Sequence, residues 1–157
     1  MTMAVPKSVI KFNKNGVRYT SSVDRVNYTI NELTRRAMMD VGRFVLREVS
    51  KKVRGINKFT RKARYAPKRY QMWVLKKENE LVLGIENTKK GANTAWWADQ
   101  AELGTNGQPK RGILYETVRD NIDKIREIEG RYLSAIEDEN KAIALINENE
   151  VQEEAEG

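Results

Sequence analysis

Residues 23–54 read VDRVNYTINELTRRAMMDVGRFVLREVSKKVR, and the rest of the chain is interpreted outward from them. Their apolar residues recur mostly at spacings of three and four, the period of one face of an α-helix. Ser21 or Ser22 is the expected N-cap, Asp24 suits the first turn, and Gly55 is a natural stop. The spacing predicts a helix of about 30 residues. Its buried stripe would comprise Val26, Ile30, Leu33, Ala37, Val41, Phe44, Val45, Val49 and Val53.

Two features of this helix stand apart from the stripe. Gly42 interrupts the apolar pattern, and glycine is less favourable than alanine inside a helix by about 1 kcal/mol. Several basic residues fall mostly off the stripe, which is typical of a solvated helix face. They are Arg35, Arg36, Arg43, Arg47 and Lys51.

Two segments after the helix are predicted to form a β-hairpin. Tyr70–Leu75 and Leu81–Glu86 are rich in apolar, aromatic and β-branched residues, and the polar Lys76–Glu80 suits the turn between them. Near the N-terminus, Val9–Phe12 and Val17–Thr20 are interpreted either as two short strands or as an extended arm.

A second helix is predicted over residues 112–144, with Gly130 as a weak point. The predicted fold is therefore α+β, with two long amphipathic helices packed on a small antiparallel sheet. The predicted organisation is an N-terminal arm (1–20), a single domain (21–146) and an acidic flexible tail (147–157). The stripe of the second helix would comprise Leu114, Val118, Ile122, Ile125, Ile128, Tyr132, Leu133 and Ile136.

The composition argues against several classes of function. Among 157 residues there is no cysteine and no histidine. This excludes disulfides, thiolate nucleophiles, Ser-His-Asp triads and zinc sites built on Cys or His. No apolar run approaches the roughly 18 residues of a membrane span, and no secretory signal is read at the N-terminus. The sequence predicts neither an enzyme nor a cofactor nor a metal site.

Charge is distributed unequally along the chain. Residues 1–76 carry 19 Lys and Arg against 4 Asp and Glu, whereas residues 77–157 carry 10 against 18. Three interpretations remain open. The basic half binds nucleic acid, the charges solvate helix faces, or basic and acidic faces of neighbouring copies meet in an oligomer.

A basic connector and a tryptophan pair are the candidate binding residues. Residues 57–69 mix aromatic side chains with positive charge, a composition that binds single-stranded nucleic acid but also suits a solvated loop, which we favour. Trp96 and Trp97 fit either a core or a subunit interface. The basic residues that would face DNA or a neighbouring subunit are Arg54, Lys58, Arg61, Lys62 and Arg64.

The stretch Glu102-Leu103-Gly104-Thr105 combines three turn-forming properties. Gly104 suits a backbone conformation that is costly for other residues, and Thr105 caps a turn with its hydroxyl. Glu102 accepts hydrogen bonds from loop amides or from a basic residue of a neighbour. A tight turn within one subunit and a subunit interface are both open. A cation site on Glu86 and Glu102, or an enzyme built on Glu102, is much less favoured.

The order of these parts resembles a family of viral proteins. Leu83-Gly84-Ile85 is similar to a Val-Gly-Val strand, and Ala95–Thr105 to a Tyr-Ala-x-x-Val-Glu-Phe-Gly-Thr segment. Gln108-Pro109 and Gly112-Ile113-Leu114 follow as a loop and a helix entry, although Gly112 stands where proline is usual. Together they resemble the tailed-bacteriophage neck proteins of the head–tail connector and tail-completion group.

The resemblance implies a structural virion protein. Such a subunit forms a ring, six- or twelvefold, at the neck that joins the DNA-filled head on the portal side to the tail. Its expected partners are other copies, other neck, portal-adaptor and tail proteins, and transiently DNA, but no membrane. Assembly in the host bacterial cytoplasm and residence in the virion neck follow. The alternative is a basic nucleic-acid-binding protein that uses residues 54–69.

Overall fold

The computed structural model describes residues 9–14, 17–56, 68–86, 98–99, 102–104, 110–138 and 140–147. In these ranges the chain combines helices with antiparallel strands, which confirms the α+β class in this coarser sense. The chain divides into two compact units. The terminal unit comprises Met1–Ala37 and Gly130–Gly157, and the central unit comprises Met38–Glu129.

Helix α1 spans Val23–Ile56, so the long helix predicted from the apolar period is confirmed. Ser22 directly precedes it, and the Ser22 carbonyl accepts the Val26 N–H at 2.9 Å. Gly55 lies inside the last turn instead of ending it. Nothing lies within 4 Å of the position that a Gly55 Cβ would occupy, so a side chain would fit there without a clash.

The terminal unit contains a β-hairpin. Strand β1, Val9–Lys14, pairs with strand β2, Val17–Ser21, in antiparallel register, with an irregularity between Ile10 and Phe12. Of the two interpretations left open by the sequence, the strands are therefore confirmed over the extended arm.

The central unit contains the second hairpin. Strand β3, Tyr70–Leu75, has the predicted bounds, and strand β4, Glu80–Ile85, begins one residue early. Tyr70 pairs with Ile85 and Leu75 with Glu80. Alternation along the strands then places Trp73, Leu75 and Val82 on the exposed face of the sheet.

The core of the central unit is built on the C-terminal half of α1. Val45, Val49 and Val53 are fully buried there, as the stripe predicted. They share one cluster with Tyr70 and Ala98. The inward residues of β4 pack against this cluster, namely Leu81, Leu83 and Ile85.

At Gly42, α1 lies close to the second hairpin. A Cβ at residue 42 would overlap the Met72 sulfur and lie 3.2 Å from Leu81 Cδ1. The glycine that interrupts the apolar pattern thus makes room for β3 and β4, and its low helix propensity has a packing reason.

We expect Gly55→Ala to raise the free energy of unfolding and Gly42→Ala to give no such gain. Gly55→Ala removes backbone freedom without a clash, so it should raise the free energy of unfolding by about 0.5–1 kcal/mol. Gly42→Ala should lose that gain because the Met72 side chain must move. Urea denaturation of both variants measures the difference, and equal gains would contradict the close approach of β3 to α1.

The prediction of one continuous second helix is wrong. Helix α2, Ile113–Asp120, and helix α3, Ile122–Ala135, are separated at Asn121. The Asn121 side chain donates to the Thr117 carbonyl at 2.8 Å, and its backbone N–H bonds to Val118 instead of Thr117. Competition of an Asn side chain with the backbone ladder breaks the helix at this position. By contrast, α3 passes through Gly130 without interruption.

A second break follows α3. Residues 140–147 are again helical, and Asp138 caps them. Asp138 Oδ1 accepts the N–H groups of Asn140 and Lys141 at 3.0 and 3.3 Å, the bonding pattern of an N-cap. One member of the acidic run at 137–139 therefore has a structural role.

Part of the stripe predicted on the second helix is exposed. Ile125, Tyr132 and Ala135 are buried, but Ile122 and Leu133 lie about 60–160° around the helix axis from them and are exposed. Leu133 is 65% exposed and Ile136 is 45% exposed. The predicted stripe was too wide for one buried face, because period alone does not show where burial ends.

The N-terminal half of α1 also departs from the prediction. Val26 and Ile30, assigned to the buried stripe, are exposed, whereas Arg36, assigned off the stripe, is only 2% exposed. Leu33, also assigned to the stripe, is 2% exposed as predicted, so in the terminal unit only part of the stripe is buried.

At the junction of α2 and α3, a surface ion pair compensates the charge of Asp120. The Lys52 ammonium donates to Asp120 Oδ2 at 2.9 Å and lowers the pKa of that carboxyl. Asp120 stands at the C-terminus of α2, where the helix dipole disfavours negative charge, so a cation beside it is favourable.

Candidate functional site

The segment 102–104 packs against the start of α2. The Glu102 carbonyl accepts the Gly112 N–H at 3.3 Å, and Glu102 Oε1 accepts the Leu114 N–H at 2.7 Å. The same oxygen accepts the Tyr70 hydroxyl at 3.3 Å. Glu102 therefore joins β3, the segment 102–104 and the N-terminus of α2 within the central unit.

The Glu102 carboxylate acts as the cap of α2. The N-cap residue, Gly112, has no side chain with which to bond the free N–H groups of the first turn. Leu114 is the second residue of the helix, and its N–H is satisfied by Glu102 instead. The negative charge also lies at the positive end of the helix dipole, where it is favoured.

Burial and hydrogen bonding act in opposite directions on Glu102. Burial is the largest effect and raises the pKa of the Glu102 carboxyl, and the Leu114 and Tyr70 hydrogen bonds partly offset it. Burial and the Glu102 charge raise the pKa of Tyr70 far above its ordinary value. The phenol therefore stays protonated and donates to the carboxylate.

Gly104 adopts a conformation that other residues avoid. Its φ is +79°, and an added Cβ would lie 2.8 Å from the Lys110 backbone nitrogen and 3.0 Å from Lys110 Cα. Both the left-handed backbone and the contact with a neighbouring main chain require glycine. Glu102 and Gly104 thus build a turn within one chain.

The remaining predicted site residues are distributed as follows. Arg54 is exposed in the last turn of α1. The others lie outside the described residues, namely Trp96, Trp97, Thr105, Lys58, Arg61, Lys62 and Arg64. Within the ranges that are described, no group of three or more acidic residues is placed to hold a metal ion.

Two apolar side chains at this turn are almost fully exposed. Leu103, inside the motif, is 74% exposed, and Tyr115, in the first turn of α2, is 71% exposed. Lys110 and Arg111 are exposed between them in sequence. We call these four residues the turn projection. The sequence analysis did not identify Leu103 or Tyr115 as candidate contact residues. Tyr115 lies off the predicted stripe of its helix, and this position could have indicated an exposed aromatic side chain.

The terminal unit carries an apolar groove of about 180 Å³. Val26, Ile30, Leu33 and Ile136 supply its apolar lining. Ser22, Arg25 and Thr29 supply its polar lining. We call this feature the α1 groove.

The outer face of the second hairpin is a third exposed apolar area. Trp73, Leu75 and Val82 are each more than a third exposed. A Cβ at Gly84 would lie 3.2 Å from Trp73 Cζ3, so the indole ring lies over that glycine. The glycine of the Leu83-Gly84-Ile85 stretch therefore leaves space for an aromatic ring.

Among the described helices, none has the length and apolar character needed to cross a membrane. Comparison of the chain with known protein families, with characterised proteins and with solved structures returned no match.

Proposed function

We propose that this protein is a structural subunit of a phage neck, where it forms a ring that joins the portal side of the DNA-filled head to the tail. The resemblance in motif and element order suggests this function. The observation that carries it is the turn projection, because Leu103 and Tyr115 expose large apolar side chains beside the motif itself. Large apolar and aromatic side chains that are exposed in an isolated chain are candidate protein–protein contact residues.

The internal bonds of Glu102 support an assembly role. Its carboxylate is engaged by the Leu114 N–H and the Tyr70 hydroxyl, so these bonds hold the turn in shape. Hydrogen bonds that join the segments carrying Leu103 and Tyr115 lower the entropy cost of ordering these segments upon binding. In this proposal the mechanism is assembly, with no chemical turnover.

The finer architecture belongs to the same proposal. Helix α1 would be one long amphipathic helix of a connector subunit, and α2 with α3 would take the place of the second. Other neck, portal-adaptor and tail proteins are the proposed partners, and DNA would pass through the ring and contact basic residues such as Arg54 without sequence recognition. The proposed location is the virion neck, after assembly in the host bacterial cytoplasm.

Native mass tests the proposal. Light scattering behind a sizing column, at near-physiological salt, is expected to give a closed six- or twelvefold oligomer, and negative-stain images should show rings. A DNA titration at several salt concentrations accompanies it, and the neck proposal expects weak binding by the free subunit. A monomer at all concentrations that binds DNA tightly, with a steep salt dependence, would overturn the proposal in favour of the nucleic-acid-binding alternative.

A further inference from the structure

We propose that three basic residues on the exposed side of α1 bind the phosphate backbone of double-stranded DNA. They are Arg47, Lys51 and Arg54, and we call them the α1 basic stripe. The inference deepens the proposed function, on which it rests, because it names the surface of the subunit that meets the DNA inside the ring. From the sequence, Arg47 and Lys51 fit a solvated helix face, and among these three only Arg54 is a candidate for DNA contact.

The three side chains lie on one side of the helix and are all exposed. At 3.6 residues per turn, Lys51 and Arg54 lie within about 40° of Arg47 around the helix axis, and the stripe is about 10 Å long. Val45 and Val49 are fully buried and lie about 160° from Arg47 on either side. Packing of these valines in the core of the central unit therefore directs the stripe outward.

The charge of this part of α1 is positive. Residues 40–54 contain five Lys and Arg against two Asp and Glu. Glu48 accepts a hydrogen bond from Lys51 in an exposed pair three residues apart, and such pairs contribute little, so Lys51 can exchange this partner for a phosphate. Within the described ranges, neither Arg47 nor Arg54 forms an ion pair with an acidic side chain. The stripe therefore carries positive charge that the folded chain leaves available to an anion.

The surroundings of the stripe favour a duplex backbone over other partners. The large apolar side chains of α1 from Val41 to Val53 are buried or packed against the core. Protein interfaces use apolar and aromatic anchor residues, and single-stranded nucleic acid is bound through stacking on aromatic rings. A duplex backbone requires only cations, and over about 10 Å it presents about six phosphate charges. Three cations on one side of a helix therefore suit duplex DNA best.

The small number of contacts agrees with the weak binding that the neck proposal expects of a free subunit. Three neutralised phosphates give a slope of about −2.7 when the logarithm of the binding constant is plotted against the logarithm of salt concentration. Contacts to phosphate carry no sequence information, so binding should not depend on base sequence. A ring would present several copies of the stripe to one duplex and strengthen binding through multivalency.

A DNA titration at several salt concentrations tests the stripe. The full chain is titrated against a fluorescent duplex of mixed sequence, and the parent is compared with the triple variant Arg47→Gln, Lys51→Gln and Arg54→Gln. The variant should reduce the size of the slope by about 2–3. Its melting temperature should not change, because all three side chains are exposed and glutamine has a helix propensity similar to that of Arg and Lys.

A second triple variant is the matched control, because it removes the same charge from exposed residues of α2 and α3. Each of these residues already pairs with an acidic neighbour. The control should keep the slope of the parent protein. Its substitutions are Arg119→Gln, Lys124→Gln and Arg126→Gln.

The outcomes separate the stripe from the proposed function. Equal slopes in the two triple variants, or no binding by the parent at low salt, would overturn the stripe even if the protein forms rings. A reduced slope specific to the stripe variant, in a protein whose native mass is that of a monomer, would leave the stripe standing and refute the ring.

Two further measurements decide between duplex DNA and other partners. Tighter binding of a single strand than of the duplex, or displacement of the duplex by polyglutamate at equal charge concentration, would overturn duplex DNA as the ligand. A change in the native mass of the stripe variant alone would assign the stripe to a contact between subunits and also overturn the inference. We expect none of these three results, because the stripe has no apolar or aromatic anchor residue beside it.

Discussion

Gly104→Ala is expected to lower the free energy of unfolding by about 2–4 kcal/mol. The left-handed backbone alone costs a residue with a side chain about 1–2 kcal/mol. The remaining loss arises because the new Cβ would lie 2.8 Å from the Lys110 backbone nitrogen, and a main chain cannot move aside as a flexible side chain can. Urea denaturation followed by circular dichroism measures the change.

Gly130→Ala is the matched control for this prediction. Gly130 lies inside α3, and nothing lies within 4 Å of its would-be Cβ. The same substitution there should raise the free energy of unfolding by about 0.5–1 kcal/mol. If Gly104→Ala proved as harmless as Gly130→Ala, the close packing of segment 102–104 on Lys110 would be wrong.

Glu102→Ala is expected to cost about 2–3 kcal/mol of unfolding free energy. The substitution leaves the Leu114 N–H and the Tyr70 hydroxyl without the acceptor that joins them, and unsatisfied buried donors are costly. Glu102→Gln is the control, because its side-chain oxygen still accepts both bonds. It should remain within about 1 kcal/mol of the parent protein at neutral pH. Equal losses in the two variants would show that the cap does not depend on an acceptor at this position.

The stability of the parent protein and that of Glu102→Gln should depend differently on pH, because the pKa of Glu102 is raised in the folded state. The ordinary value is 4.5, and burial raises it in the folded state. Between the ordinary and the raised value, the folded state binds more protons than the unfolded state, so the stability contributed by Glu102 falls as pH rises through this window. Glu102→Gln removes this titration. The stability of the parent protein relative to Glu102→Gln should therefore decrease as pH rises above 4.5, and a difference that grows with pH would contradict the prediction.

Elements with a strong local pattern could be predicted from sequence. The spacing of Val41, Val45, Val49 and Val53 predicted α1 and its buried face in the central unit. Apolar, aromatic and β-branched residues on both sides of a polar turn predicted the hairpin that includes Tyr70–Leu75. A helical period and a strand-like composition are properties of neighbouring residues, so both can be recognised without knowledge of distant contacts. Turn-forming properties at Gly104 were readable for the same reason.

Other features required distant contacts. Glu102 meets Leu114 across 12 residues and Tyr70 across 32, and only the fold selects these partners over a neighbouring subunit. Glycine at position 42 is unfavourable for a helix by propensity, and only the packing of Met72 against it explains its presence. The break at Asn121 depends on the hydrogen bond from its side chain to the Thr117 carbonyl, which cannot be predicted from the amino-acid types alone.

The sequence by itself therefore determined the mixed helix and strand content, the long helix α1, the second hairpin and the need for glycine at residue 104. The tertiary structure decided which part of each predicted stripe is buried, because a stripe shows amphipathic character and not what covers it. Val26, Ile30 and Leu133 belong to apolar stripes yet remain exposed, whereas Arg36 is buried. Burial depends on the surfaces that the other elements present, and those surfaces exist only after the chain has folded.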